Sequence, residues 1–126
     1  MSVLVDTSVW IDHFRDGNEV LAYLIEQDFV LTHPMVIVEL ACGTPPAPRA
    51  HTLSNIGLLQ LCNQASLYEV MAFIEREKLY GLGCGLVDMA LLASTLITPD
   101  TVLWTLDKRL ADLAGRFGVA YRTTLH

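Results

Sequence analysis

With 126 residues, 52% of them apolar, the chain is sized for one compact domain over residues 1–126 and carries enough core-forming side chains to exclude disorder. Its net charge of −6 excludes the broad basic surface by which proteins usually attract nucleic acid, so any phosphate chemistry here needs a bound cation to reverse the local field. Three cysteines without CxxC spacing and four scattered histidines argue against a disulfide framework or a zinc site and read as ordinary side chains, the thiols as small core residues.

The opening Ser2–Val5 is a short apolar strand that meets Asp6 at once, with no basic leader, so it reads as part of the fold and not as a signal peptide. No apolar run approaches the ~18 residues of a membrane span, and a soluble, cytoplasmic protein is expected. Asp6 or Thr7 can cap a helix running to about Arg15, and Asp16-Gly17-Asn18 makes a turn. Glu19–Gln27 spaces Val20, Leu21, Leu24 and Ile25 on one helical face, and Phe29–Leu31 follows as a second strand. His33–Cys42 is predicted helical, ending at Gly43. Thr44–Pro48 must be a loop, because its prolines forbid a helix interior. Arg49–Cys62 and Tyr68–Tyr80 are expected as an antiparallel helix pair. Three glycines, Gly81, Gly83 and Gly85, lead into the apolar helix Leu86–Ile97. A turn at Pro99-Asp100, a strand at Val102–Thr105, a helix at Lys108–Phe117 and a final strand at Val119–Arg122 complete the chain. Strands alternating with helices predict an α/β fold in three α/β/α layers around a central, mostly parallel sheet.

In such a sheet ligands bind beyond the carboxyl ends of the strands. Asp6 directly follows the first strand and Asp107 comes just after the strand Val102–Thr105, so both fall on one rim. Glu39 and Asp88 stand out for another reason: each interrupts an apolar helix without a nearby cation. A buried, uncompensated carboxylate costs several kcal/mol, so each is expected to need a metal, a base or a proton. Taken singly, each acid has an ordinary reading as a cap or a solvated side chain, and Asp6 in particular makes a good cap. Together, converging carboxylates repel unless cations lie between them, and oxygen-only ligands suit Mg²⁺ or Mn²⁺. Ser8 and Thr105, each two residues from an acid on the same rim, are placed to orient a carboxylate. Lys108 and Arg109 after Asp107, and Arg15 at the end of the first helix, are candidates to meet substrate phosphate. Asp112 is expected to be a surface acid.

Val5-Asp6-Thr7-Ser8-Val9-Trp10-Ile11-Asp12, Val38-Glu39-Leu40, Leu86-Val87-Asp88-Met89-Ala90-Leu91-Leu92-Ala93 and Leu103-Trp104-Thr105-Leu106-Asp107-Lys108-Arg109-Leu110 resemble the four motifs of PIN-domain nucleases, and within that family the VapC toxins of bacterial toxin–antitoxin pairs. The resemblance runs nearly end to end in length, order and spacing. It implies cleavage of RNA with one or two Mg²⁺ or Mn²⁺ ions held by Asp6, Glu39, Asp88 and Asp107, with Ser8 and Thr105 as the small polar positions beside the first and last acid. It also implies a homodimer and a cognate VapB-like antitoxin that inserts a peptide near the site. The Thr44–Pro48 loop is not part of the family pattern.

The mechanism expected from these residues is phosphodiester hydrolysis by metal-activated water, with no side-chain nucleophile. Two rivals stand beside it. Phosphoryl transfer through Asp6 would want a second acid at position 8, where Ser8 stands, or paired acids ahead of the first strand's end. A catalytically silent PIN-like binding protein would normally have lost one or more acids, and all four are present.

Overall fold

The computed structural model describes residues 1–123; the last three positions of the single domain expected over 1–126 lie outside the described residues. In chain order the elements are β1 (Ser2–Val5), α1 (Thr7–Asp16), α2 (Glu19–Glu26), β2 (Val30–Thr32), α3 (Pro34–Cys42), α4 (Arg49–Gly57), β3 (Gln60–Leu61), α5 (Leu67–Glu77), α6 (Leu86–Leu96), β4 (Thr101–Trp104) and α7 (Lys108–Arg116). The strands form one sheet in the order β3-β2-β1-β4. Every pairing in it is parallel, and helices complete an α/β/α sandwich. Among the described residues no helix is long and apolar enough to cross a membrane.

Position in the sheet explains the sequence of each strand. β1 lies at the centre, and Val3, Leu4 and Val5 are wholly buried, which suits an unbroken apolar run covered on both faces. The same logic applies to α6, where Met89 through Thr95 are buried. It packs on α5, β4 and α7, so it shows no polar face in its middle. α7 touches β4 and α6 along one side only and buries Leu110, Leu113 and Ala114 while exposing Asp112 and Arg116. Local signals start the helices. Asn18 accepts the Leu21 amide at the head of α2. His33 accepts the Met35 amide before Pro34 opens α3. Ser66 and Glu69 form a reciprocal capping box on α5.

Three expectations from the sequence are corrected here. The helix expected over Arg49–Cys62 stops at Gly57, and Gln60-Leu61 form the edge strand β3 instead. Consequently the segments on either side do not make a helix hairpin: α4 packs on α3, and α5 packs on α6. The final strand expected at Val119–Arg122 reduces to one parallel bridge between Ala120 and Leu103, although the Leu103 amide donates to Val119 and the Tyr121 amide to Leu103. Two of the thiols also need separating. Cys62 is a core residue, whereas Cys42 at the end of α3 is exposed. Finally Arg49, at the start of α4, donates to the carbonyls of Ala41 and Gly43; its charge closes the carboxyl end of α3.

The strand order has a direct consequence for function. From β1 the chain winds outward through β2 to β3, then returns to place β4 on the other side of β1. The winding reverses between β1 and β4, and ligands of open α/β sheets bind at such a reversal, beyond the carboxyl ends of the strands. Asp6 and Asp107 follow the two strands that flank it.

Candidate active site

Asp6 leaves β1 with its amide still in the sheet, donating to the Trp104 carbonyl at 2.9 Å. It occupies the residue position that caps α1, yet its side chain makes no capping hydrogen bond. Instead the buried carboxylate turns to the β4–α7 connection. Its Oδ2 accepts from Ser8 Oγ at 2.8 Å and from Thr105 Oγ1 at 2.7 Å. Each hydroxyl has one proton, so with both protons on Asp6 the 3.3 Å contact between Ser8 and Thr105 is a neighbouring and not a donated one. Their lone pairs are used as well: Ser8 Oγ accepts the Leu106 amide at 2.9 Å, and Thr105 Oγ1 accepts the Asp107 amide at 3.0 Å. Two hydroxyls thereby fix one oxygen of Asp6 and the backbone leading to Asp107. Oδ1 of Asp6 accepts no hydrogen bond among the described residues.

Asp107 does what was expected of Asp6. Its Oδ1 caps α7 by accepting the Leu110 amide at 3.0 Å, which leaves the other oxygen for a ligand. Asp88 lies in the first turn of α6 and is half-buried. Burial raises its pKa above the usual carboxylate value, the Asp6 charge raises it further, the Gly85 backbone hydrogen bond opposes, and Asp107 and Glu39 add to the rise. One carboxylate therefore feels the other three acids, which brings all four into a single electrostatic neighbourhood.

Glu39 is in that neighbourhood for a different reason from the one its sequence suggests. It was singled out as a buried charge among apolar residues, but it is exposed, as is Val38 beside it. α3 is apolar enough to carry hydrophobic residues on its solvent side as well as its packed side, so apolar neighbours in sequence do not bury Glu39. Its position is set by Thr7, whose Oγ1 donates to Glu39 Oε1 at 2.6 Å. Thr7 is the residue that sequence reasoning passed over. Its signal was its place between Asp6 and Ser8, at the first position of the helix that packs on α3.

The basic candidates are dispersed. Arg15 is exposed at the end of α1 and lines an open groove of about 590 Å³ with Glu39, the groove being walled by Ile11, Phe14, Leu40, Pro45 and Pro46. The Thr44–Pro48 loop thus forms one wall of a cleft that begins at an acid of the rim. Lys108 and Arg109 are exposed at the start of α7. Asp112 is exposed farther along that helix. Cys84, just before α6, has its thiol pKa raised first by burial and then by Asp88 and Asp107, with Arg109 opposing, the opposite of what activates a thiol.

As they stand, no three His, Cys, Asp or Glu side chains among the described residues close on one point as a ligand set. The donors nonetheless fit a hard divalent cation. They are all carboxylate oxygens, each of Asp6 and Asp107 has one oxygen committed to the protein and one uncommitted, and the rise at Asp88, owed first to burial and then to the neighbouring acids, is relieved by no ion pair among the described residues. The neighbouring hydroxyls and amides can orient carboxylates but cannot neutralise them.

The pattern of the PIN domain matches residues 3–116. The chain is also 39% identical over 118 residues, covering 94% of each chain, to Ribonuclease VapC32 of Mycobacterium tuberculosis strain CDC 1551 / Oshkosh. The protein of that name from strain ATCC 25618 / H37Rv is similar to the same extent.

Proposed function

The chain belongs to the PIN-domain family, and from that premise we propose that it is an endoribonuclease, the toxin of a VapBC-type toxin–antitoxin pair, hydrolysing RNA phosphodiester bonds. Asp6, Glu39, Asp88 and Asp107 are its metal-binding acids, and the metal is Mg²⁺ or Mn²⁺, as one or two ions. The observation that carries this reading is that Thr105 Oγ1 joins Asp6 Oδ2 to the Asp107 amide, while Thr7, next to Asp6 in the chain, donates to Glu39. Asp88, in the first turn of α6, has its pKa raised first by burial and then by the charges of Asp6, Asp107 and Glu39, in keeping with this grouping.

When bound, the cation supplies the positive field that polarises a phosphate and lowers the pKa of water. The chain's own contribution is positional. Ser8 and Thr105 hold one oxygen of Asp6, so the other keeps a fixed direction toward the rim. The Leu110 amide does the same for Asp107, and Thr7 does it for Glu39 from outside the core. Fixing carboxylates before the ligand arrives reduces the entropy lost on binding it. A cognate VapB-like antitoxin, a homodimer and a cytoplasmic setting accompany this reading.

The test is cleavage of RNA by the purified chain in Mg²⁺, in Mn²⁺ and in EDTA, beside Asp6→Asn. Cleavage that needs the cation and disappears in Asp6→Asn, with the thermal transition retained, is the expected result. Equal cleavage in EDTA, or by the variant in Mg²⁺, overturns the assignment. RNA binding without cleavage in any metal would mark the silent binding protein instead.

A further inference from the structure

We propose that Gly83 seats the Arg109 guanidinium at the edge of the acidic rim, and that this guanidinium grips a backbone phosphate of the bound RNA. The inference rests on the nuclease reading above and adds to it a phosphate-binding residue and the position that holds it.

The seat is visible in the geometry. Gly83 has φ +86° and lies in the turn before α6; a Cβ built on it would stand 2.5 Å from Arg109 Nη1, 3.0 Å from Cζ and 3.1 Å from Cδ. The guanidinium and the end of its stem thus lie directly over this backbone. The φ is one that L-residues rarely adopt, and a Cβ there would push the flexible end of Arg109 aside. Arg109 in turn links the start of α7, which Asp107 caps, to the approach of α6, whose first turn carries Asp88.

Electrostatics place the charge in the same corner. The Cys84 thiol responds to Asp88, to Asp107 and to Arg109 together. Yet Arg109 makes neither an ion pair nor a hydrogen bond among the described residues, where the one ion pair joins Arg76 to Glu77. Arg49 is committed to the carbonyls of Ala41 and Gly43. Arg109 therefore combines a position against the Gly83 backbone, an unused donor fork and closeness to the rim. Lys108 has no such seat, and Arg15 stands along the groove at Glu39. A planar fork beside the acidic rim suits a phosphate oxygen pair.

The test measures binding of a short labelled single-stranded RNA in Ca²⁺ across a salt series, together with steady-state cleavage in Mg²⁺. Arg109→Gln should raise Kd and KM roughly tenfold, as loss of a charge-assisted contact does. It should leave kcat within about twofold and lower the slope of log Kd against log salt by about 0.7, the loss of one single-strand phosphate contact. Arg109→Lys should keep the parent's slope while recovering only part of the affinity. Gly83→Ala should weaken binding less than Arg109→Gln does and add nothing to it in the double variant. If Gly83→Ala fails to fold, the Arg109 pair decides alone. Parent-like affinity and slope in Arg109→Gln overturn the proposal, as does a Gly83→Ala effect that adds fully to it. A parent that binds RNA but never cleaves it sinks the nuclease reading while leaving the binding comparison to decide Arg109; a parent that binds no RNA overturns both.

Discussion

Thr105 Oγ1 donates to Asp6 Oδ2 at 2.7 Å across 99 residues of chain, and the same oxygen accepts the Asp107 amide at 3.0 Å. One buried hydroxyl therefore joins the first acid of the rim to the last. Thr105→Val keeps the side chain's shape and removes both bonds. It should slow RNA cleavage by about 10–100-fold, the usual effect of losing a group that orients a metal ligand. It should also cost about 1.5–3 kcal/mol in urea unfolding, because a hydrogen bond to a charge is lost. Full activity in this variant would show that Asp6 does not depend on the clamp.

Glu39 makes the opposite case. Being exposed and, among the described residues, held by Thr7 alone, it should matter for activity and hardly at all for stability. Glu39→Gln should leave the unfolding free energy within about 0.5 kcal/mol, as for surface positions generally, while lowering cleavage in Mg²⁺. Thr7→Val should lower it less. Parallel urea titrations and initial rates give both readings.

Asp88 gives the pH dependence of the metal-free protein. Its pKa in the folded chain is raised above the ordinary 3.8 by burial and by Asp6 first. Between the unfolded and folded values the native state holds more protons than the unfolded state, so stability falls as pH rises through that window. Below the ordinary value the contribution is fully present; above the folded value it is lost. In EDTA, Asp88→Asn should therefore be more stable than the parent at neutral pH, and the difference should vanish on acidification below the ordinary carboxylate range. Added Mg²⁺ should reverse the order by stabilising the parent preferentially. Melting temperatures at several pH values, with and without Mg²⁺, test the sign directly.

The capping box of α5 supplies a control. Ser66 and Glu69 exchange hydrogen bonds at 3.1 and 2.9 Å, and the adjacent Ala65 amide meets Ser94 in the last turns of α6, at the opposite end of that helix from Asp88. Ser66→Ala should cost about 0.5–2 kcal/mol and leave the cleavage rate at temperatures well below unfolding unchanged. A fall in rate would mean that α5 transmits strain along α6 to the rim.

How far the sequence revealed this arrangement depends on the kind of signal each residue sends. Asp6 and Asp107 were placed on one rim by strand-end reasoning alone, since β1 and β4 are apolar runs with clear ends. Glu39 drew attention through an expected burial that the fold does not impose; periodicity on an apolar helix such as α3 does not say which face is covered. Thr7 was missed because its partner is 32 residues away, and nothing local announces the pair. β3 was missed because both its residues are exposed and it is two residues long, too short to show alternation. The clamp by Ser8 and Thr105 was readable as a pair of nearby hydroxyls, but not the sharing of one Asp6 oxygen. Gly83 looked like part of a flexible lead into α6; only the position of Arg109 shows what the missing side chain accommodates.

The register that pairs Ser2 with Thr101 and Val5 with Trp104 also sets when the rim comes into being. A chain growing from its amino end can form β1, α1, α2, β2 and α3 early, but the neighbour that completes the rim is specified about a hundred residues later. Closing that separation carries an entropy cost that local pairings avoid and favours late formation of the rim in folding. Fragments that stop short of β4 would carry Asp6 and Glu39 without Asp107 and without the Thr105 clamp. Parallel pairing of β1 with β4 thus makes assembly of the rim depend on a contact of long sequence separation.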